Sequence, residues 1–241
     1  LTPELTVRWH WLALPVGVLV VVAWILIGWA MAGEFGVRWS AMLSGEPLGR
    51  LDYGPTLEGA NRFATTEPGD FELWLEASPT AAWTALILRL LGMSIVVPLF
   101  EELFIRSLML RSLHRPAPTG RGLLAVLIDL PVIGELLAKT KWGKVGEQTG
   151  PVFTQQFLNT PVGHLTVFAV AASTFVFMLS HVPRDWPAIW VCGIAYCLLL
   201  GVACRFGKRP EVGIGSVVWA HGITNALLWG YSVWTGDWQF L

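Results

Sequence analysis

Val96-Val97-Pro98-Leu99-Phe100-Glu101-Glu102-Leu103-Phe104-Ile105-Arg106 is an apolar run carrying two adjacent carboxylates and, four residues after the second, a guanidinium. Stripped of those three charges it reads as the middle of a transmembrane helix. A charge at the centre of such a helix costs about 2.5–3.5 kcal/mol on insertion scales. Adjacent carboxylates also repel each other. A run that keeps both points to residues in use.

The rest of the chain supplies the membrane context. Apolar residues make up 54% of it, charged residues 14%, and mean hydropathy is +0.57. That balance describes a polytopic membrane protein. The 14 tryptophans suit a chain with several membrane–water interfaces. A net charge of −1 offers no basic surface for nucleic acid. The three cysteines (Cys192, Cys197, Cys204) share one apolar run and read as small core residues.

Five segments have the periodicity and apolarity of spans: residues 11–32, 81–115, 164–182, 186–204 and 213–234. The first resembles a signal sequence at Ala30-Met31-Ala32, but its charge-free stretch of 22 residues is longer than a signal core and fits a retained anchor. Residues 33–79 form an acidic extramembrane loop with eight Asp/Glu and three Arg. Residues 116–163 form a basic one, and within it 123–137 reads as a re-entrant or interfacial element. In 81–115 Pro98 predicts a kink, and Arg89 predicts a snorkelling or paired cation. In 186–204, Gly193, Cys197 and Gly201 recur every four residues, a stripe suited to close helix packing.

The reading is therefore all-α: a polytopic transmembrane helix bundle of about five spans. Residues 1–80 hold the anchor and acidic loop, and 81–241 the core. Loops 111–163 and 205–212 are basic, so the positive-inside rule puts them and the N-terminus in the cytoplasm. The protein is expected in the cell (inner) membrane.

Glu101, Glu102, His181, His221 and Asn225 are the polar side chains that stand out inside these spans, with Arg106 near its helix end. Glu102 and Arg106 are four apart and share a helix face, as do Phe177 and His181, and His221 and Asn225. Separately, each could be a structural ion pair or interhelical hydrogen bond. Together they suit amide hydrolysis. A carboxylate in an apolar cavity can take a proton from water and return it, and His and Asn can donate to the oxyanion. Neither Gly-x-Ser-x-Gly nor His-Glu-x-x-His occurs, so a nucleophile-elbow hydrolase or zincin has no motif support. No cofactor is required, although Glu101, His181 and His221 would also suit zinc with an open position.

At these residues the chain resembles the CAAX-protease and bacteriocin-processing (CPBP) intramembrane proteases. Their motifs read here as Glu101-Glu102-x-x-x-Arg106, Phe177-x-x-x-His181 and His221-x-x-x-Asn225, in order, on separate segments. The resemblance covers roughly residues 81–238, and the ending is similar to the exosortase-associated CAAX prenyl protease-related branch. It implies Glu101 as base, Glu102 in support and paired to Arg106, His181 assisting the water, and His221 with Asn225 at the oxyanion. It also implies a membrane-associated peptide or protein substrate. An immunity or binding protein, or a proton-coupled transporter, are the rival classes.

Counting depth from the span starts creates a conflict. Glu101 falls toward the cytoplasmic side and His181 toward the other, about 25 Å apart, whereas shared chemistry needs contacts of about 3 Å or one bridging water. A re-entrant 123–137 segment that reverses the third span, or a kink at Pro98, would bring them together.

Overall fold

In a computed structural model the chain is described over residues 6–32, 76–114, 132–141, 152–236 and 240. All regular structure among these residues is helical. In chain order the helices are α1 (Ala13–Ala32), α2 (Pro79–Ser112), α3 (Ile133–Ala138), α4 (Val152–Asn159), α5 (Val167–Leu179), α6 (Trp186–Ala203) and α7 (Gly215–Thr235). The acidic loop lies outside the described residues up to 75, as does the larger part of the 123–137 element. What is described of that element is the short helix α3.

Three segments are long and apolar enough to cross a membrane: Ala13–Met31, Pro79–Ser112 and Pro183–Ala203. The expectation of about five spans is met to that extent. The expected third span is the apolar helix α5, but it has only 13 residues, about 20 Å at 1.5 Å per residue. The expected fifth, α7, has 21 residues but is less apolar, because it carries His221, Thr224 and Asn225. Large apolar side chains are exposed on α1 and α2, among them Leu14, Leu19, Leu26, Ile87, Leu88, Ile95 and Phe100. The polar residues Glu102, Arg106, Thr174, His221 and Thr224 are buried instead, the pattern of a bundle with a polar interior.

α1 is built into the bundle. Its Gly17 lies so close to α7 that a Cβ there would meet the Ala220 carbonyl at 2.8 Å. The small-residue stripe of α6 packs as expected: Gly193 abuts Thr174 of α5, and Gly201 abuts Leu165. The three cysteines are free and buried.

Packing between α2 and α5 removes the depth conflict. The two helices meet at the loop end, where Thr166 donates its hydroxyl to the His114 carbonyl (2.7 Å) and accepts from Ala169 N–H (3.1 Å). Arg111 at the end of α2 donates to the Thr160 carbonyl (2.6 Å). One level deeper, the Arg106 guanidinium covers the Phe177 ring at 4.7 Å. The helices therefore run antiparallel, and depth is counted from their shared end. Glu101 precedes His114 by 13 positions and His181 follows Thr166 by 15, so both lie about 20 Å in at a helical rise. The third segment is not reversed. The count went wrong because α2, 34 residues long, was measured from its far end.

α2 is not a uniform α-helix. It switches to π-helical pairing over Gly92–Val96 and again over Leu103–Met109, an arrangement that recurs at functional sites. Pro98 explains the consequence of the first switch. Val97 N–H bonds five residues back to the Gly92 carbonyl. In that register the Met93 carbonyl would await residue 98, a proline with no N–H to give. Met93 O is thereby left for a partner outside the helix.

Candidate active site

That partner is Asn225, whose Nδ2 donates to Met93 O at 2.7 Å. One turn further along α7, Trp229 Nε1 donates to Leu86 O at 3.0 Å. Gly222 lies against the Ser94 carbonyl, where a Cβ would come within 2.5 Å. These contacts fix the register of α7 on α2 and set His221 opposite the glutamate pair.

Glu102 is completely buried. Its Oε1 accepts from His221 Nδ1 at 2.9 Å, and its Oε2 lies 3.3 Å from Arg106 Nε. Arg106 is equally buried, and its guanidinium lies 4.7 Å from the Phe177 ring and 5.7 Å from that of Tyr196. One carboxylate and two aromatic faces thus surround a cation that carries no proton it can lose. Glu101, the neighbour, differs: its side chain is 32% exposed, and Oε2 is 3.8 Å from His221 Nε2. The adjacent glutamates therefore face opposite ways, one into the protein and one into a cavity.

The His221 tautomer follows from these partners. A carboxylate only accepts, so the proton at Nδ1 belongs to the Glu102 bond and Nε2 is the nitrogen turned toward Glu101. At 3.8 Å the Glu101–His221 gap is too long for a direct hydrogen bond. A donor role for His221 requires a second proton, on Nε2. The ring is held from the other side by Tyr196, stacked at 5.5 Å and 29°. Tyr196 OH donates to Thr224 Oγ1 at 2.7 Å, and the Thr224 hydroxyl in turn reaches the Gly17 carbonyl of α1 at 3.2 Å and that of Ala220 at 3.0 Å.

His181 sits in the turn between α5 and α6. Its Nδ1 is 2.9 Å from the Phe177 carbonyl, which can only accept, so Nδ1 carries a proton and Nε2 is left free. Ser180 Oγ donates to the same carbonyl at 2.7 Å. Trp186 Nε1 donates to the His181 carbonyl at 3.0 Å, and the Phe177 ring meets the imidazole edge-on at 4.7 Å. The Phe-x-x-x-His spacing thus has a local meaning: Phe177 orients His181 with both its carbonyl and its ring.

A cavity of about 590 Å³ gathers Glu101, His181, His221 and Asn225 from α2, the α5–α6 turn and α7, with Phe177 and Tyr196 in its wall. Glu102 and Arg106 lie behind that wall. Asn225 gives one amide hydrogen to Met93 O, and its NH₂ has a second. The three residues expected to suit zinc, Glu101, His181 and His221, all line this cavity. Among the described residues no three His, Cys, Asp or Glu side chains are grouped to hold a metal ion. His221 Nδ1 is taken by Glu102, so a metal would meet this ring at Nε2, the arrangement usual for a metal-bound histidine. Tyr196, Thr224 and Ser180 were missed by sequence reasoning, and Arg89 was read there as a snorkelling or paired cation and not as part of the site. Tyr196, one of three tyrosines in the chain, carried a usable signal as a phenol inside an apolar run.

Comparison with protein-family models, with curated proteins and with solved structures returns no significant match.

Proposed function

We propose that this chain is an intramembrane endopeptidase of the CPBP type, in the cell inner membrane with its N-terminus on the cytoplasmic side, acting on a membrane-associated peptide or protein. One observation carries the reading: Glu101, His181, His221 and Asn225, from three separate parts of the chain, line a single cavity.

In the proposed reaction a water sits between Glu101 and His181 Nε2. His221 enters the reaction protonated on both nitrogens; Glu101 takes the water's proton as the oxygen attacks the scissile carbonyl, and the developing oxyanion is met by Asn225 Nδ2–H and by His221 Nε2–H. The carbon–nitrogen bond then breaks, and Glu101 returns the proton to the leaving amine. Glu102 does not touch the substrate. It accepts from His221 Nδ1 and so supports the doubly protonated ring, and Arg106 balances its charge.

The test is cleavage of membrane-anchored peptides by the purified protein in lipid nanodiscs, with Glu101→Gln and His181→Ala as controls. Loss of cleavage in both, with folding intact, supports the proposal. Cleavage undiminished in Glu101→Gln overturns it. Proton-coupled uptake into liposomes without any cleavage would favour a transporter.

A further inference from the structure

Arg89 of α2 lines the same cavity as the proposed catalytic residues, and nothing in the mechanism above uses it. Its Nε is sealed from solvent and makes no hydrogen bond, whereas its two terminal nitrogens are not sealed. No carboxylate among the described residues pairs with it. The acids on the cavity wall are committed elsewhere: Glu101 faces His221 at 3.8 Å, and Asp185 is coupled to Arg184 and His181. Of the two expectations for Arg89, snorkelling or pairing, no ion pair is found among the described residues, and the unsealed terminal nitrogens match a snorkelling head turned to the cavity.

A guanidinium does not shed its proton in a protein. Arg89 thus holds a permanent cation against an otherwise largely apolar cavity, a costly placement without a counter-charge. Its planar fork is shaped for bidentate binding of a carboxylate.

We propose that Arg89 binds a carboxylate of the substrate peptide, and so makes this cavity selective for an anionic peptide. The inference rests on the peptidase reading for the word substrate, but the anion site can be tested without catalysis. Arg89 precedes Glu101 by 12 positions, about 18 Å along a helix. An extended peptide advances about 3.3 Å per residue, which places the carboxylate about five residues from the scissile bond. The group is either an acidic side chain or the peptide's C-terminal carboxylate.

The experiment measures binding by fluorescence anisotropy to the full-length protein in nanodiscs. The probes are fluorescein-labelled apolar dodecapeptides in four forms: one internal Glu or its Gln counterpart, each with a free or an amidated C-terminus. The expected result is binding about tenfold tighter for a carboxylate-bearing probe than for the Gln amide, as a buried bidentate pair would give. Arg89→Gln then reduces that ratio below about twofold. Which probe shows the preference, internal Glu or free terminus, identifies the carboxylate. Equal binding of all four probes by the wild type, or a preference that survives Arg89→Gln, overturns the proposal. Should Arg89→Gln fail to fold, Arg89→Lys keeps the charge and loses the fork. A weakened preference there supports the site, and an unchanged one overturns it. An Arg89-dependent preference for a peptide that is bound but never cut leaves the anion site standing and removes the peptidase reading.

Discussion

His221 Nδ1 donates to Glu102 Oε1 at 2.9 Å while the other Glu102 oxygen lies 3.3 Å from Arg106. That single carboxylate joins two helices, sets the His221 tautomer and balances a buried cation. The first consequence is for stability. Glu102→Ala strands Arg106 and frees the His221 ring, and the loss expected for breaking a buried pair on one side is about 3–5 kcal/mol. Thermal unfolding in detergent reads it. The double replacement Glu102→Leu with Arg106→Met should recover much of that stability without recovering cleavage.

Glu101 is expected to behave in the opposite way. Its side chain is one-third exposed, and among the described residues its one ion-pairing contact is with His221, 3.8 Å away. Glu101→Gln should leave the unfolding temperature within error. It should lower peptide cleavage by about 10²–10⁴, the usual contribution of a positioned general base. A stability loss matching that of Glu102→Ala would show the two carboxylates to be equivalent and would remove the division of roles.

Pro98 supplies a test of how Asn225 is positioned. Pro98→Ala restores an N–H that can serve a carbonyl of the preceding turn. It should shift the Gly92–Val96 stretch toward regular α-pairing and compete with Asn225 for Met93 O. The expected outcome is a protein as stable as wild type or slightly more so, with cleavage reduced about tenfold, the effect of losing part of an oxyanion donor's alignment. Wild-type activity in Pro98→Ala would show that the released carbonyl does not matter.

Gly222 packs directly on α2, and a methyl group there would meet the Ser94 carbonyl at 2.5 Å. The contact is with backbone, which cannot rotate away. Gly222→Ala is therefore expected to cost about 1–3 kcal/mol, as overpacking does, and to displace His221 from the glutamates. Gly230, whose added Cβ meets nothing within 4 Å, is the matched control. Gly230→Ala should be neutral or mildly stabilising in the same assay.

Helical class and the membrane setting were legible because apolar length and composition act locally, residue by residue. The site was legible because charges inside such segments stand out against a uniform background. Three things were not. Depth was misjudged because a 34-residue helix has two ends, and only its contact with Thr166 shows which end it shares with α5. The placement of Asn225 was hidden because it depends on a carbonyl freed by Pro98, a backbone event that leaves no pattern in side-chain spacing. Arg89 was seen as a charge, but its lack of a partner among the described residues is a fact of three-dimensional packing.

The shortness of α5 has a consequence for the lipid. A 13-residue helix reaches about 20 Å, against a hydrocarbon layer of about 30 Å. If α5 crosses the bilayer as the proposed function requires, the turn that carries His181 has to reach water and the surrounding leaflet has to thin beside α5, at fractions of a kcal/mol per Å. Bilayer thickness would then be a control on the protein. Membranes of shorter acyl chains relieve the mismatch and should favour the assembled cavity, while thick, sterol-like bilayers should work against it.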